Sequence, residues 1–140
     1  MAAGDTVFGD FEVSIKRMPE LLDSTEHAIA SGKLHPLEIS ARLHKFFIYL
    51  HPFPDGNGRV GRLISNYILA RFKQPHLIIK AVDKATYFEA LKLSDKHKDN
   101  SVLTVYFANL AIERKNKEIE QKKKLTQNFG MNFQPRKRDR

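Results

Sequence analysis

Along most of the chain the apolar positions recur at helical spacing. From Met18 they fall at Met18, Leu21, Leu22, Ala28 and Ile29, with Pro19 acceptable in a first turn. This predicts a short amphipathic helix stopped by Gly32 in the "SGK" at 31–33. The stretch "HPLEISARLHKFFIYL" opens with Pro36 and carries two apolar rows, Leu37, Ala41, His44, Ile48 and Ile39, Leu43, Phe46, Leu50. Apolar groups on more than one face predict a central, largely buried helix. It runs into "HPFPDGNG", where Pro52 and Pro54 stop the helix and Gly56 and Gly58 free the backbone. Another helix follows directly, with Val60, Leu63, Ile64, Tyr67, Ile68 and Phe72 at helical spacing up to the break at Pro75.

Beyond that break, "LIIKAV" reads as a strand or an extended connector, and one strand alone makes no sheet. Asp83 is a candidate N-cap for a helix through Tyr87, Phe88 and Leu91, and Ser101 for "VLTVYFANLAIERKNKEIEQKKK". The latter is apolar in its first half and charged in its second, so its distal half is expected to project into water. At the other end, "TVFGDFEVSI" alternates around Gly9-Asp10 and predicts a small β-hairpin over about residues 6–15. There is no internal repeat, and the last fifteen or so residues read as disordered.

Composition narrows the class. A chain of 140 residues with ten phenylalanines suits one packed domain, and the absence of cysteine excludes disulfides, thiolate chemistry and cysteine-ligated metal. No apolar run approaches the roughly 18 residues of a membrane span, and "MAAGDTVFGDFEV" lacks the basic head of a signal peptide, so a soluble, cytoplasmic protein is expected. The net charge of +8 is unevenly placed. Residues 113–140 hold ten Lys/Arg against four Asp/Glu, whereas the first 112 hold fourteen against twelve. The basic end reads either as a solvated helix end with a frayed terminus or as an electrostatic contact with nucleic acid or an acidic partner.

The chemistry is concentrated in "HPFPDGNGRVGR", residues 51–62. Gly56 and Gly58 let backbone N–H groups face one point, and the helix that follows adds its unsatisfied N–H groups and positive dipole end, which makes an anion cradle. Arg59 and Arg62 lie three apart on that helix and can clamp a polyphosphate with fork geometry. Asp55 would repel the anion unless a magnesium ion sits between them, held by one carboxylate, phosphate oxygens and water. Asn57 can donate to a phosphate oxygen. An imidazole is the side chain suited to take a proton from an incoming nucleophile near neutral pH, and His51 supplies one. The set points to displacement at phosphorus. No GxxxxGK[ST] and no GxGxxG after a strand is present. His44 and His51 are two turns, about 10 Å, apart along a helix, too far for one zinc ion.

The same twelve residues resemble the Fic family signature HxFx(D/E)GNGRxxR, and the flanks "HPLEISARLHKFFIYLHPF", "RLISNYILARF" and "LIIKAVDKATYFEAL" resemble that family too, over roughly residues 18–112. The resemblance implies a domain over residues 1–112, with all-α core helices over 18–112 and a hairpin flap at about 6–15 that aligns the target by strand pairing. Residues 113–140 would be a charged helical extension and tail. It further implies transfer of AMP from ATP to a hydroxyl of a target protein, with pyrophosphate leaving and magnesium required. His51 would be the general base and Asp55 the metal ligand. Gly56, Asn57 and Gly58 would line the anion hole, Arg59 and Arg62 would bind the β- and γ-phosphates, and Phe53 would point into the core. Tyr87 would stand near the nucleotide or in the core, and Asn66 would face the nucleotide or bond to backbone. Relatives also transfer UMP, phosphate or phosphocholine, and a non-catalytic nucleotide-binding module with a nucleic-acid-binding tail is the reading from another class. Many relatives restrain themselves with [ST]xxxE[GN], a string not found here. Either the protein is unrestrained, or restraint is expected from a separate antitoxin-like protein or from sequence outside this chain, which would itself be a minimal member, a truncated piece or half of a larger arrangement.

Overall fold

A computed structural model of the protein describes residues 10–131. Five helices make up the architecture of that span: α1 (Phe11–Ser31), α2 (Pro36–Leu50), α3 (Asn57–Arg71), α4 (Lys84–Lys96) and α5 (Ser101–Met131), with a 3₁₀ turn at Ala81–Asp83 before α4. Among the described residues there is no strand, and none of the helices is long and apolar enough to cross a membrane. The all-α expectation therefore holds.

The central position expected of α2 follows from its two apolar faces. One face, with Ile39 and Leu43, meets Ile68 of α3 and Leu21, Ala28 and Ile29 of α1. The opposite side, at Ala41, joins Leu69, Leu77, Ala90, Leu103 and Phe107 in a second cluster built with α4 and α5. Phe47 rather than Phe46 is the buried aromatic of α2, since Phe46 remains 42% exposed. In α3 the outward positions include Leu63 and Tyr67, while Gly61, Ser65, Ile68 and Leu69 form the buried face. Small side chains at Gly61 and Ser65 let the two backbones approach. A Cβ at Gly61 would stand 3.1 Å from Ile48 Cδ1 and 3.2 Å from His44 Cε1.

The hairpin expected over residues 6–15 is corrected by the structure. Residues 6–9 lie outside the described residues, and from Phe11 onward the chain is helical. Asp10 starts this helix: its carboxylate accepts from the Glu12 N–H at 3.3 Å and its carbonyl from the Ser14 N–H at 2.8 Å. The alternation of Phe11, Val13 and Ile15 therefore falls on a helix surface, where each is about half exposed. Ser14 is fully buried and its hydroxyl donates to the Leu50 carbonyl, which ties the first turn of α1 to the last of α2. Pro19 consequently lies inside α1 rather than in its first turn. Gly32 stops α1 as expected, in the left-handed region at φ 61°.

The connector after α3 needs no sheet because Asn66 pairs with it. The Asn66 amide donates to the Leu77 carbonyl at 3.0 Å and accepts from the Leu77 N–H at 2.8 Å, so this amide bonds to backbone. Asp83 immediately precedes α4 but makes no side-chain cap. At α5 the Ser101 N–H and hydroxyl both donate to Asp99, which places the capping carboxylate two residues earlier than expected. From Ile112 to Phe129 the α5 side chains are exposed except for half-buried Glu118, and the helix continues to Met131 through residues expected to be disordered.

Two polar devices hold the helices in register. Asn57, 2% exposed, accepts from the Phe53 N–H at 3.0 Å and donates to the Phe53 carbonyl at 2.6 Å, closing the turn between α2 and α3. Deeper in, His44 has no exposed surface and contacts the Ser65 hydroxyl at 3.0 Å and the Tyr87 hydroxyl at 2.8 Å, which links α2, α3 and α4. Tyr87 is thus a core aromatic, 4% exposed.

Burial lowers the His44 pKa from the usual 6.5 to about 4. The unfolded chain binds this proton more tightly, so the stability contribution is complete above pH 6.5 and is lost as the pH falls toward 4. The loss should be on the order of 3 kcal/mol, read by urea unfolding across that window. A His44→Gln protein should decline less steeply; an equal slope would remove His44 as the cause. Asn57→Ala leaves the Phe53 backbone groups without their partner and should cost about 2 kcal/mol in the same assay at pH 7.

Candidate active site

The geometry of the site begins where α2 ends. Its C-cap, His51, adopts the left-handed conformation at φ 49°, ψ 56°, and its N–H donates to the Phe47 carbonyl at 3.1 Å. A non-glycine residue in this region is strained, and such strain clusters at functional sites. The bond from Ser14 to Leu50 fixes the carbonyl just before this residue. His51 is half-buried at the rim of the turn.

Six residues later α3 begins with an unusual cap. The N-cap is Gly56 at φ 82°, a backbone conformation that glycine adopts readily, and no side chain caps the helix. A serine or aspartate there would occupy the first N–H groups with its own oxygen. Val60 is the first residue whose N–H returns to the helix, bonding the Gly56 carbonyl at 3.0 Å. The N–H groups of Gly56, Asn57, Gly58 and Arg59 therefore have no intrahelical carbonyl to bond, at the positive end of the helix dipole. That is the arrangement an anion needs.

An open cleft of about 280 Å³ lies over this helix end. It is lined by Pro54 and by all seven residues singled out in the sequence: His51, Asp55, Gly56, Asn57, Gly58, Arg59 and Arg62. The structure thus brings the whole set together, but it assigns the parts unequally. The Asn57 side chain is turned inward to Phe53, so its backbone N–H is the group it offers to the cleft end of α3. Phe53 is 46% exposed, its ring 6.2 Å from that of Phe47, and so does not enter the core. Arg59 folds back over Gly56 and meets Asp55 at 3.4 Å, in a solvent-exposed pair of little energetic worth. The Arg62 guanidinium lies 3.4 Å from where a Cβ on Gly58 would stand, so it reaches back along the first turn of α3 toward the cleft.

Sequence reasoning overlooked two supporting groups. Gly61 permits the close approach of α3 to α2, and a glycine inside a helical pattern was the available signal. Ser14 sits in the stretch assigned to a hairpin, where nothing in the local pattern distinguishes it.

Residues 2–69 match the family model of the Fic/DOC family. The protein adenylyltransferase Fic of Drosophila virilis is 38% identical over 88 residues, 63% of this chain and 17% of that protein, and that of Drosophila melanogaster gives the same figures. This chain thus spans a small part of the length of these curated relatives. Among solved structures, a Fic domain containing signaling protein from Bacteroides thetaiotaomicron superposes with a TM-score of 0.74 at 29% identity, covering 76% of this chain and 45% of that one. A Fic family protein from Desulfovibrio desulfuricans gives 0.69 at 27% identity, covering 82% and 36%. The signature residues gathered in one cleft lie within residues 2–69, and it is this segment that matches the Fic/DOC family, on a helical core similar to that of these structures.

Proposed function

We propose that the protein is an adenylyltransferase that moves AMP from ATP to a Ser, Thr or Tyr hydroxyl of a target protein. The observation that carries this reading is the meeting in one cleft of an imidazole, an uncapped helix N-terminus and two arginines. In this reading the N–H groups at 56–59, with Arg59 and Arg62, hold the β- and γ-phosphates, Arg59 exchanging Asp55 for phosphate. The acceptor oxygen forms a bond to the α-phosphorus while His51 takes its proton. The bond from that phosphorus to the bridging oxygen breaks, and its electron pair leaves with pyrophosphate. The protonated His51 returns its proton to solvent.

Asp55 fits a magnesium ion that enters with the nucleotide. Its side chain is 94% exposed at the cleft and its contact with Arg59 is weak. No group of three or more His, Asp or Glu is gathered to hold a metal among the described residues, which suits an ion held by one carboxylate, phosphate oxygens and water. When bound, magnesium would supply neutralisation of phosphate charge. Arg62 makes no ion pair among the described residues, so an acidic group from a separate antitoxin-like protein is the restraint this reading carries.

With magnesium and a cell lysate, label in the α-phosphate of ATP should appear on a protein, and label in the γ-phosphate should not. Transfer of the γ-label instead would overturn the AMP assignment. The His51→Ala protein should lose transfer while still binding ATP by calorimetry; retained transfer would remove His51 as the base. Arg62→Ala deletes a charge-assisted contact of about 1.5 to 3 kcal/mol and should raise the Kd for ATP roughly 10- to 150-fold.

A further inference from the structure

Behind Arg62 runs a chain of hydrogen bonds whose direction is set by its far end. The Ser65 hydroxyl donates its one proton to the Gly61 carbonyl at 2.7 Å. It must therefore accept from His44, which places the imidazole proton on Nδ1, 3.0 Å away. The other ring nitrogen, Nε2, then carries a lone pair and accepts from the Tyr87 hydroxyl at 2.8 Å. The chain thus reads Tyr87 on α4, His44 on α2, Ser65 on α3 and finally the carbonyl of Gly61, the residue just before Arg62.

Each member is buried: Tyr87 at 4%, Ser65 at 2% and His44 with no exposed surface. The charge of Arg62 is felt along it. Burial pushes the Tyr87 hydroxyl up to about 12 and holds His44 near 4, and in each case Arg62 adds its own effect, lowering both. The groups facing His44 are the Gly61 backbone, Arg62 and Ser65 from α3, Tyr87 from α4 and the Phe107 ring of α5 at 5.5 Å; the bond to the Gly61 backbone raises the His44 pKa against the burial. A Cβ at Gly61 would stand 3.1 to 3.3 Å from Ile48 and His44, so α2 lies close against this turn of α3. Arg62 and Ser65 also line a cavity of about 10 Å³ shared with Asn66 and Leu77.

We propose that Tyr87 and His44 are positioning residues for the phosphate grip: the Tyr87 hydroxyl, acting through His44 and Ser65, fixes the turn of α3 from which Arg62 reaches the cleft. Neither side chain is among those lining the cleft. The inference rests on the reading of Arg62 as a phosphate ligand.

A double-mutant cycle on ATP affinity, measured by calorimetry with magnesium, separates the two. Tyr87→Phe removes only the hydroxyl, and Ser65→Ala breaks the chain from its other end. Each should raise the Kd for ATP about 5-fold in the otherwise unchanged protein, and neither should raise it further when Arg62 is already alanine. Thermal unfolding of each variant reports the purely structural effect, which should persist in the Arg62→Ala background. Equal weakening with and without Arg62 would overturn the proposal, as would unchanged affinity in both single variants. If either variant does not fold, the other decides. If Arg62→Ala itself leaves ATP affinity unchanged, the phosphate grip fails, and the positioning role fails with it.

Discussion

The two hydrogen bonds between the buried Asn57 amide and the backbone of Phe53 are the constraint on which the site depends. They close the turn from within, so that α3 can begin without a capping side chain at Gly56. In most helices the residue that stabilises the start also consumes the first N–H groups. Here stabilisation is moved one residue inward and turned toward the loop, which leaves the helix end for an anion. The left-handed conformation of His51 is the other half of the arrangement, because it ends α2 with the imidazole residue at the cleft.

Beneath the turn, α2 and α3 meet through small and polar groups. Gly61 admits the ring of His44, and the hydroxyls of Ser65 and Tyr87 satisfy both of its nitrogens. A polar layer of this kind is favourable only when every member is paired, and then it specifies one arrangement more sharply than apolar packing does. The arginine that grips phosphate in the proposed reaction is attached to that layer by its own backbone. α1 contributes from outside, with Ser14 holding the last carbonyl of α2.

How much of this is legible in the sequence differs from element to element for physical reasons. The central burial of α2 follows from apolar rows on two faces, and Gly32 marks the end of α1 by the conformation it must adopt. The seven cleft residues are contiguous enough that local chemistry alone assembles them. The face of α3 is harder to read, because Leu63 and Tyr67 suggest one side while the contact is made by Gly61 and Ser65. The start of α1 is misread since alternation at Phe11, Val13 and Ile15 suits a strand, whereas the cap at Asp10 decides for a helix. The pairings of Asn57 with Phe53 and of Asn66 with Leu77 depend on where the backbone passes. An amide in a motif does not announce whether it faces a ligand or its own loop.

The most direct test of the account is a crystal structure of the His51→Ala protein with ATP and magnesium. The β- and γ-phosphate oxygens should lie about 2.7 to 3.2 Å from the N–H groups of residues 56–59 and from Arg62, with the α-phosphorus facing position 51. A nucleotide bound with its phosphates away from this helix end would contradict it.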